Sequence, residues 1–180
     1  MSQFGDLDRQ HIDCIKASVS EINLKKGQSF SEAGKIPQQV GFILEGVMRG
    51  HYYNRSGLDI TRCFVTENSL VVDYVNFESN TASTEYIQAC TDVKLMVFGK
   101  LEWEQLSEIP GWDVIKSKMA HHCMYDKSRK GPVVSQDATT RYLEFMRHYP
   151  KLMLKVPLVY IASYLGVTQQ SLSRIRKNIK

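Results

Sequence analysis

Residues 156–177 read VPLVYIASYLGVTQQSLSRIRK, the most specific structural pattern in this sequence. Ile161 and Leu165 are four residues apart, and Leu172 and Ile175 are three apart. Residues with these spacings lie on one face of a helix. The stretch therefore predicts two short helices that pack against each other through these apolar pairs.

The residues between the two helical faces suit a tight turn. Gly166 supplies the left-handed backbone conformation that such a turn needs, and Val167 can fill its corner. Thr168 is a favourable N-cap for the second helix, and Ala162 is small where the helices must approach closely. The unit matches a helix-turn-helix motif, and a helical hairpin with a purely structural role is the alternative.

The second helix presents polar side chains away from its apolar pair. In the major groove of DNA, Gln pairs bidentately with adenine and Arg with guanine, whereas Ser, Thr and Lys suit phosphate oxygens. We expect Gln169, Gln170 and Arg174 to read bases. Supporting or phosphate contacts are expected at Thr168, Ser171, Ser173, Arg176 and Lys177.

The distribution of charge points to the same end of the chain. The formal net charge is +4 over 180 residues. Residues 141–180 hold eight Lys or Arg and one acid, a net of +7, whereas residues 1–140 carry a net of −3. A basic segment behind a mildly acidic body suggests a polyanion-binding appendage, although a solvated helical surface gives the same pattern.

The composition indicates an ordinary globular protein. Hydrophobic residues make up 43% of the chain and charged residues 23%, which excludes a disordered chain. No apolar run reaches the roughly 18 residues of a membrane-spanning helix, and the amino terminus lacks signal-peptide features, so we expect a cytoplasmic protein. The four cysteines are widely spaced, which favours small buried hydrophobes over a zinc or iron–sulfur site.

The sequence pattern of residues 20–100 is typical of antiparallel strands. Short runs rich in Val, Ile, Phe and Tyr are separated by turn residues at regular intervals. Helices do not alternate with these runs, so a doubly wound parallel sheet is not expected. We predict an α+β protein in which residues 1–110 form an antiparallel β-roll of jelly-roll type, preceded within that range by a short helix over residues 6–19.

A long helix is expected to connect the roll to the helix-turn-helix. Its apolar stripe consists of Trp112, Ile115, Met119 and Cys123, spaced by three, four and four residues, and we interpret it as a dimer interface. Gly131-Pro132 ends this helix, because proline has no amide hydrogen and clashes with the preceding turn. Residues 111–136 are thus assigned to a dimerisation helix and hinge, and residues 137–180 to a DNA-binding domain.

This order of roll, connecting helix and helix-turn-helix resembles the Crp/Fnr family of bacterial transcriptional regulators. Residues 24–30, 42–49 and 156–177 carry the resemblance, and the last stretch looks most like the short Crp-type regulators of Bacteroidetes. The resemblance implies a homodimer whose roll has a cyclic-nucleotide-binding-like fold and senses a signal. The implied partners are double-stranded DNA, a second copy of the chain, RNA polymerase and an unidentified small-molecule effector.

The sequence departs from the pattern of the cyclic-nucleotide binders in this family. These proteins hold the cyclic phosphate with an arginine and the ribose with a glutamate. The matching positions here are Val72-Asp73 and Ser83-Thr84, so the arginine is missing. Residues 63–93 contain five acids and no Lys, Arg or His, which disfavours a bound phosphate. We therefore expect a degenerate pocket that does not bind cyclic AMP.

The residues after the second helix suggest another departure. Many members of the family follow the recognition helix with a wing of two strands, but only residues 178–180 follow it here. A full wing is therefore not expected. We expect fewer phosphate contacts, and hence a shallower salt dependence of DNA binding, than in a winged relative.

Two other functions stay open at this level. The first is an effector-gated regulator whose roll binds cyclic AMP or another small ligand. The second is a cupin-like enzyme or small-molecule carrier, which needs metal ligands inside the roll, where His51 is the only histidine. His121-His122 does not suggest a metal site, because neighbouring helical residues point about 100° apart. We expect no metal, no cofactor and no catalytic residue.

Overall fold

The computed structural model describes residues 18–114, 116–117 and 137–179. Its strands are β1 (Ser20–Leu24), β2 (Ser29–Ser31), β3 (Gln39–Glu45), β4 (Met48–Tyr53), β5 (Asp59–Val65), β6 (Leu70–Val71), β7 (Tyr86–Ala89) and β8 (Val93–Gly99). They form two four-stranded sheets, in the orders β1-β8-β3-β6 and β2-β7-β4-β5. All the strand pairs are antiparallel, which confirms the predicted roll.

The two sheets share an apolar core. Ile43 on β3 and Leu95 on β8 come from the first sheet, and Met48 on β4 and Ala89 on β7 come from the second. Each of these side chains is at most 1% exposed. Because successive side chains of a strand point to opposite faces, each sheet keeps a second face for other contacts. β5 is an edge strand of the second sheet, so one row of its backbone groups has no strand partner.

The turns between strands depend on a few residues with positive φ. Gly46, between β3 and β4, has φ 99°, and a Cβ there would collide with the carbonyl oxygen of Asp92. Asn68, before β6, has φ 64°, and its N–H donates to the carbonyl oxygen of Ile43 at 2.8 Å. Glycine and asparagine tolerate the left-handed region, so these turns form where the sequence predicts them.

Two short helices also belong to the roll. They are α1 (Tyr74–Ser79) and α2 (Lys100–Gln105), and a 3₁₀ turn over Leu106–Glu108 follows α2. α1 lies within the segment for which the sequence pattern predicts strands. Trp103 on α2 contacts Phe77 of α1 edge-on, with ring centroids 6.0 Å apart. Through an aromatic cluster, the two helices therefore pack against the face of the first sheet that carries Val40, Phe42 and Phe98.

Trp112 belongs to this same aromatic cluster. Its ring lies 5.2 Å from that of Trp103, and its side chain is only 1% exposed. The apolar stripe in the sequence predicts a dimer contact for Trp112, but a single chain already covers its side chain. The other residues of that stripe, Ile115, Met119 and Cys123, lie outside the described residues.

The carboxy-terminal part of the chain contains four described helices. They are α3 (Ala138–His148), α4 (Leu152–Lys155), α5 (Leu158–Leu165) and α6 (Gln169–Asn178). Asp137 caps α3, because its carboxylate accepts hydrogen bonds from the backbone N–H groups of Thr139 and Thr140. α4, which the sequence analysis did not predict, occupies the connection between Pro150 and Pro157.

Some predicted features fall on residues that the structure does not describe. These are most of the helix over residues 6–19, His121-His122 and the break at Gly131-Pro132. Among the described residues, no helix combines the length and the apolar character needed to cross a bilayer.

Candidate nucleic-acid interface

The turn between α5 and α6 has the predicted geometry. Gly166 ends α5 in the left-handed conformation, with φ 66° and ψ 36°. The N–H of Val167 donates to the carbonyl oxygen of Ala162 at 3.0 Å, which closes the helix end. At the start of α6, Thr168 Oγ1 accepts a hydrogen bond from the N–H of Ser171 at 3.1 Å. The turn is thus fixed on both sides.

Apolar contacts then hold α5 and α6 together. Ile161 and Leu172 are fully buried, Leu165 is 2% exposed, and Ile175 packs half-buried against the same cluster. Fully burying such a side chain contributes about 1.5–3 kcal/mol. The predicted helix-turn-helix geometry is confirmed, and α6 is held by its apolar side alone.

The opposite side of α6 faces solvent. Among the predicted DNA-contacting residues, Thr168, Gln169, Gln170, Arg174, Arg176 and Lys177 are exposed, and Ser171 and Ser173 are half-buried. Helical spacing places Gln170, Ser173, Arg174 and Lys177 on one stripe opposite Leu172. By the same spacing, Gln169 and Arg176 lie along one flank of this stripe and Ser171 along the other. α6 has no acidic residue, so its exposed face attracts anions.

The predicted pocket positions in the roll are engaged within the chain. Ser83 Oγ donates to Asp73 Oδ2 at 2.6 Å, and Asn76 Nδ2 donates to the same oxygen at 2.6 Å. Both Asp73 and Ser83 are buried, whereas Val72 packs in the apolar core and Thr84 is exposed. A carboxylate therefore occupies hydrogen-bond donors of the kind that a phosphate would require.

The structure also brings an arginine to this region that the sequence analysis did not consider. Arg62, one residue before the segment without bases, forms an ion pair with Glu85 through Nη1 and Oε1. The Glu85 side chain is 8% exposed and that of Arg62 43%. Strands β5 and β7 both flank β4, and this register brings the two residues together. In this arrangement the charges of Arg62 and Glu85 neutralise each other.

Comparisons with known proteins bear on the fold. The sequence matches no protein-family model and no curated protein. The structure is similar to that of FixK2 from Bradyrhizobium japonicum, with TM-score 0.73 and 15% identity over 89% of this chain and 84% of that one. It is equally similar to the c-di-GMP-responsive global regulator CLP of Xanthomonas campestris, with TM-score 0.73 and 14% identity over 96% and 91% of the two chains.

A third solved structure carries the family name. It is described as a transcriptional regulator of the Crp/Fnr family from Eubacterium rectale, with TM-score 0.73, 14% identity and coverage of 96% of this chain and 83% of that one. The protein has the Crp/Fnr fold. The similarity extends from the roll through the carboxy-terminal helices, so the predicted fold class is confirmed.

Within the Crp/Fnr fold, this chain offers no group of three or more metal-ligating side chains among its described residues. Cys63 and Cys90 are buried and form no disulfide bond. Burial raises the pKa of the Cys90 thiol to about 12, so this thiol stays protonated and packs as a small hydrophobe. Cys14 and Cys123 lie outside the described part of the chain.

Proposed function

We propose that this protein is a homodimeric, sequence-specific DNA-binding transcriptional regulator of the Crp/Fnr type. The observation that carries the proposal is the face of α6, which is exposed, polar and basic and stands on a well-packed two-helix unit. Each subunit would place this face in the major groove, with the half-sites about 34 Å apart. Such a protein acts in the cytoplasm and has no enzymatic role.

The dimer follows from the small size of the reading unit. One short helix buries little surface on DNA, so specific affinity requires a second copy. Since Trp112 is already covered within one chain, the contact between subunits is assigned to the remaining stripe of Ile115, Met119 and Cys123. In this division, residues 1–110 sense a signal, residues 111–136 form the dimer and residues 137–180 bind DNA. RNA polymerase is a further partner of such a regulator.

Selection of bound fragments from random and genomic DNA tests this proposal. The expected product is a palindrome whose half-sites are separated by one helical turn, about 10 base pairs. Enrichment of unrelated fragments without symmetry would overturn the homodimeric regulator. No enrichment at all would overturn DNA binding itself.

Arg174→Ala should weaken binding to the selected operator. Arg174 is exposed on the central stripe of α6, where its guanidinium can reach a guanine edge. We expect a loss of about 1–3 kcal/mol on the operator and relaxed base choice at one position of each half-site. Fluorescence anisotropy on operator and random DNA measures both effects.

The control for this variant is Lys177→Ala, which is assigned to phosphate. It should weaken binding by similar factors on operator and random DNA, and lower the salt slope by about one. Equal losses on both DNAs for Arg174→Ala would show that Arg174 also contacts phosphate and reads no base.

Cyclic AMP should leave the melting temperature of this protein unchanged. The Ser83 hydroxyl and the Asn76 amide are already bonded to the Asp73 carboxylate, and the arginine of the family pattern is absent. A ligand at 100 times its Kd would stabilise the folded state by about 2.7 kcal/mol, which a thermal-shift assay detects readily. A saturable shift with cyclic AMP would establish the alternative, a cyclic-nucleotide-gated regulator.

A further inference from the structure

The first helix of the helix-turn-helix is bonded to an edge of the roll. Ser163 on α5 accepts a hydrogen bond from the N–H of Thr61 at 2.9 Å and donates to the carbonyl oxygen of Asp59 at 2.8 Å. Both backbone groups belong to β5, the edge strand of its sheet. One side chain thus satisfies two groups that an edge strand otherwise leaves to solvent.

A buried arginine of the roll contacts Tyr160, which lies one helical turn before Ser163 on α5. The guanidinium of Arg49 is 3.6 Å from the ring centroid of Tyr160, a close cation–π contact. Arg49 is 1% exposed. Its other partners all lie in the roll: it donates to both carboxylate oxygens of Asp59, at 2.7 and 2.6 Å, and to Gln88 and Thr61.

Among the described residues, Asp59 is the ion-pair partner of Arg49. His51 Nδ1 lies 3.2 Å from Asp59 Oδ1, but burial and the nearby Arg49 charge lower the pKa of His51. The imidazole is therefore neutral at neutral pH and does not compete for the carboxylate. A rigid, bidentate pair holds the guanidinium in one orientation, with its face towards Tyr160.

Aromatic packing continues the contact beyond these polar groups. Phe64 of β5 is 1% exposed, and its ring lies 5.4 Å from that of Tyr164 on α5 and 6.1 Å from that of Phe145 on α3. Cys90 of the roll joins the same apolar cluster. The roll and the carboxy-terminal helices therefore share one continuous core at this junction.

We infer that Arg49, through Tyr160 and Ser163, is a positioning residue that holds the DNA-reading helix at a fixed orientation relative to the roll. The inference rests on the proposed function. The residues that meet the roll lie on α3 and α5, whereas the exposed stripe of α6 points to solvent in this docked arrangement. The docked state is thus the DNA-ready state, because it fixes α6 without covering it.

Docking of α5 on the roll lowers the entropic cost of binding two half-sites at once. A helix-turn-helix unit that turns freely on its connection must lose that freedom when both copies engage DNA. If the contact is weakened, only the docked fraction of the molecules is competent, and the apparent affinity falls by that fraction. A signal that reaches β4 or β5 can then change DNA affinity without touching α6.

The test compares Tyr160→Leu with Tyr160→Phe in the intact chain. Phe keeps the aromatic face for Arg49, whereas Leu removes it. Two quantities are measured in each variant: anisotropy-based affinity for the selected operator, and amide hydrogen exchange of Thr61 by NMR. The Thr61 amide reports docking directly, since its acceptor is Ser163 on α5, and Ile60 in the β4–β5 ladder is the control amide.

We expect Tyr160→Leu to weaken operator binding about five- to tenfold and to accelerate Thr61 exchange by a similar factor, with Ile60 unchanged. In Tyr160→Phe, operator affinity and Thr61 exchange should both equal the wild-type values. Ser163→Ala removes the hydrogen bonds between α5 and β5, so it should also weaken operator binding.

Several results would overturn the inference. If Tyr160→Leu accelerated Thr61 exchange but left operator affinity unchanged, docking of α5 on the roll would not position the DNA-reading helix. If the same variant bound the operator more tightly than the wild type, docking would oppose DNA binding. Unchanged Thr61 exchange in Tyr160→Leu would show that Tyr160 does not hold α5 on the roll. If the wild-type protein bound no DNA, the proposed function would be refuted, and the contact between α5 and the roll could not position a DNA-reading helix.

Discussion

Leu172→Ala is expected to abolish operator binding. Leu172 is fully buried and joins α6 to α5 and α3. Truncating such a leucine costs about 2–5 kcal/mol of stability, because the transfer free energy is lost and a cavity remains. That loss is a large part of the stability of a typical protein, so α6 should lose its fixed position. Operator binding should fall to the detection limit of an anisotropy titration.

Two spectroscopic signals separate this local effect from general unfolding. Both tryptophans of the chain, Trp103 and Trp112, lie in the core of the roll, so their fluorescence reports the roll alone. We expect native fluorescence with a reduced helical circular dichroism signal. Leu154→Ala is the matched control, since Leu154 is 90% exposed on α4 and its truncation should change neither signal nor DNA affinity. Native helicity and undiminished DNA binding in Leu172→Ala would contradict the buried packing of α6.

Arg49→Met should destabilise the whole protein by about 2–4 kcal/mol, measured as the free energy of unfolding in denaturant. Methionine fills much of the same volume, but the bonds to Asp59, Gln88 and Thr61 are lost. The Asp59 side chain is 32% exposed, so water partly solvates the carboxylate left behind. The loss should therefore be smaller than for a fully buried pair.

An exposed ion pair provides the control for Arg49→Met. Lys25 Nζ lies 2.8 Å from Asp92 Oδ2, with side chains 80% and 63% exposed. Exposed pairs contribute little because water and salt screen them, so Lys25→Met should leave the unfolding midpoint unchanged. Equal destabilisation by the two variants would show that burial does not strengthen the Arg49 pair.

Local chemistry explains why the helix-turn-helix could be predicted. Gly166, Thr168 and the spacing of Ile161, Leu165 and Leu172 act within about 15 residues, and each has one mechanical role. The strands and turns of the roll follow from similarly local signals, such as the glycine at the β3–β4 turn. The pocket assignment of Asp73 and Ser83 stays a prediction, and the hydrogen bond between them could not be read from the sequence.

Long-range pairing explains what was missed. Trp112 has the spacing of a dimer stripe, yet it packs against Trp103 in the roll. Arg62 carries no local signal that links it to the pocket positions, yet strand pairing places it beside Glu85. Periodicity identifies an apolar face but not the surface that covers it, and strand register is fixed by the fold as a whole.

The sequence alone determined the two helices of the helix-turn-helix and the basic residues of α6, since each depends on residue type and short spacing. Only the tertiary structure decided that Arg49 meets Tyr160 and that Ser163 bonds to β5, and in both cases the residues are more than 100 positions apart. Such contacts arise when parts of the chain that are distant in sequence bury a common surface, and no local pattern encodes which side chains then face each other.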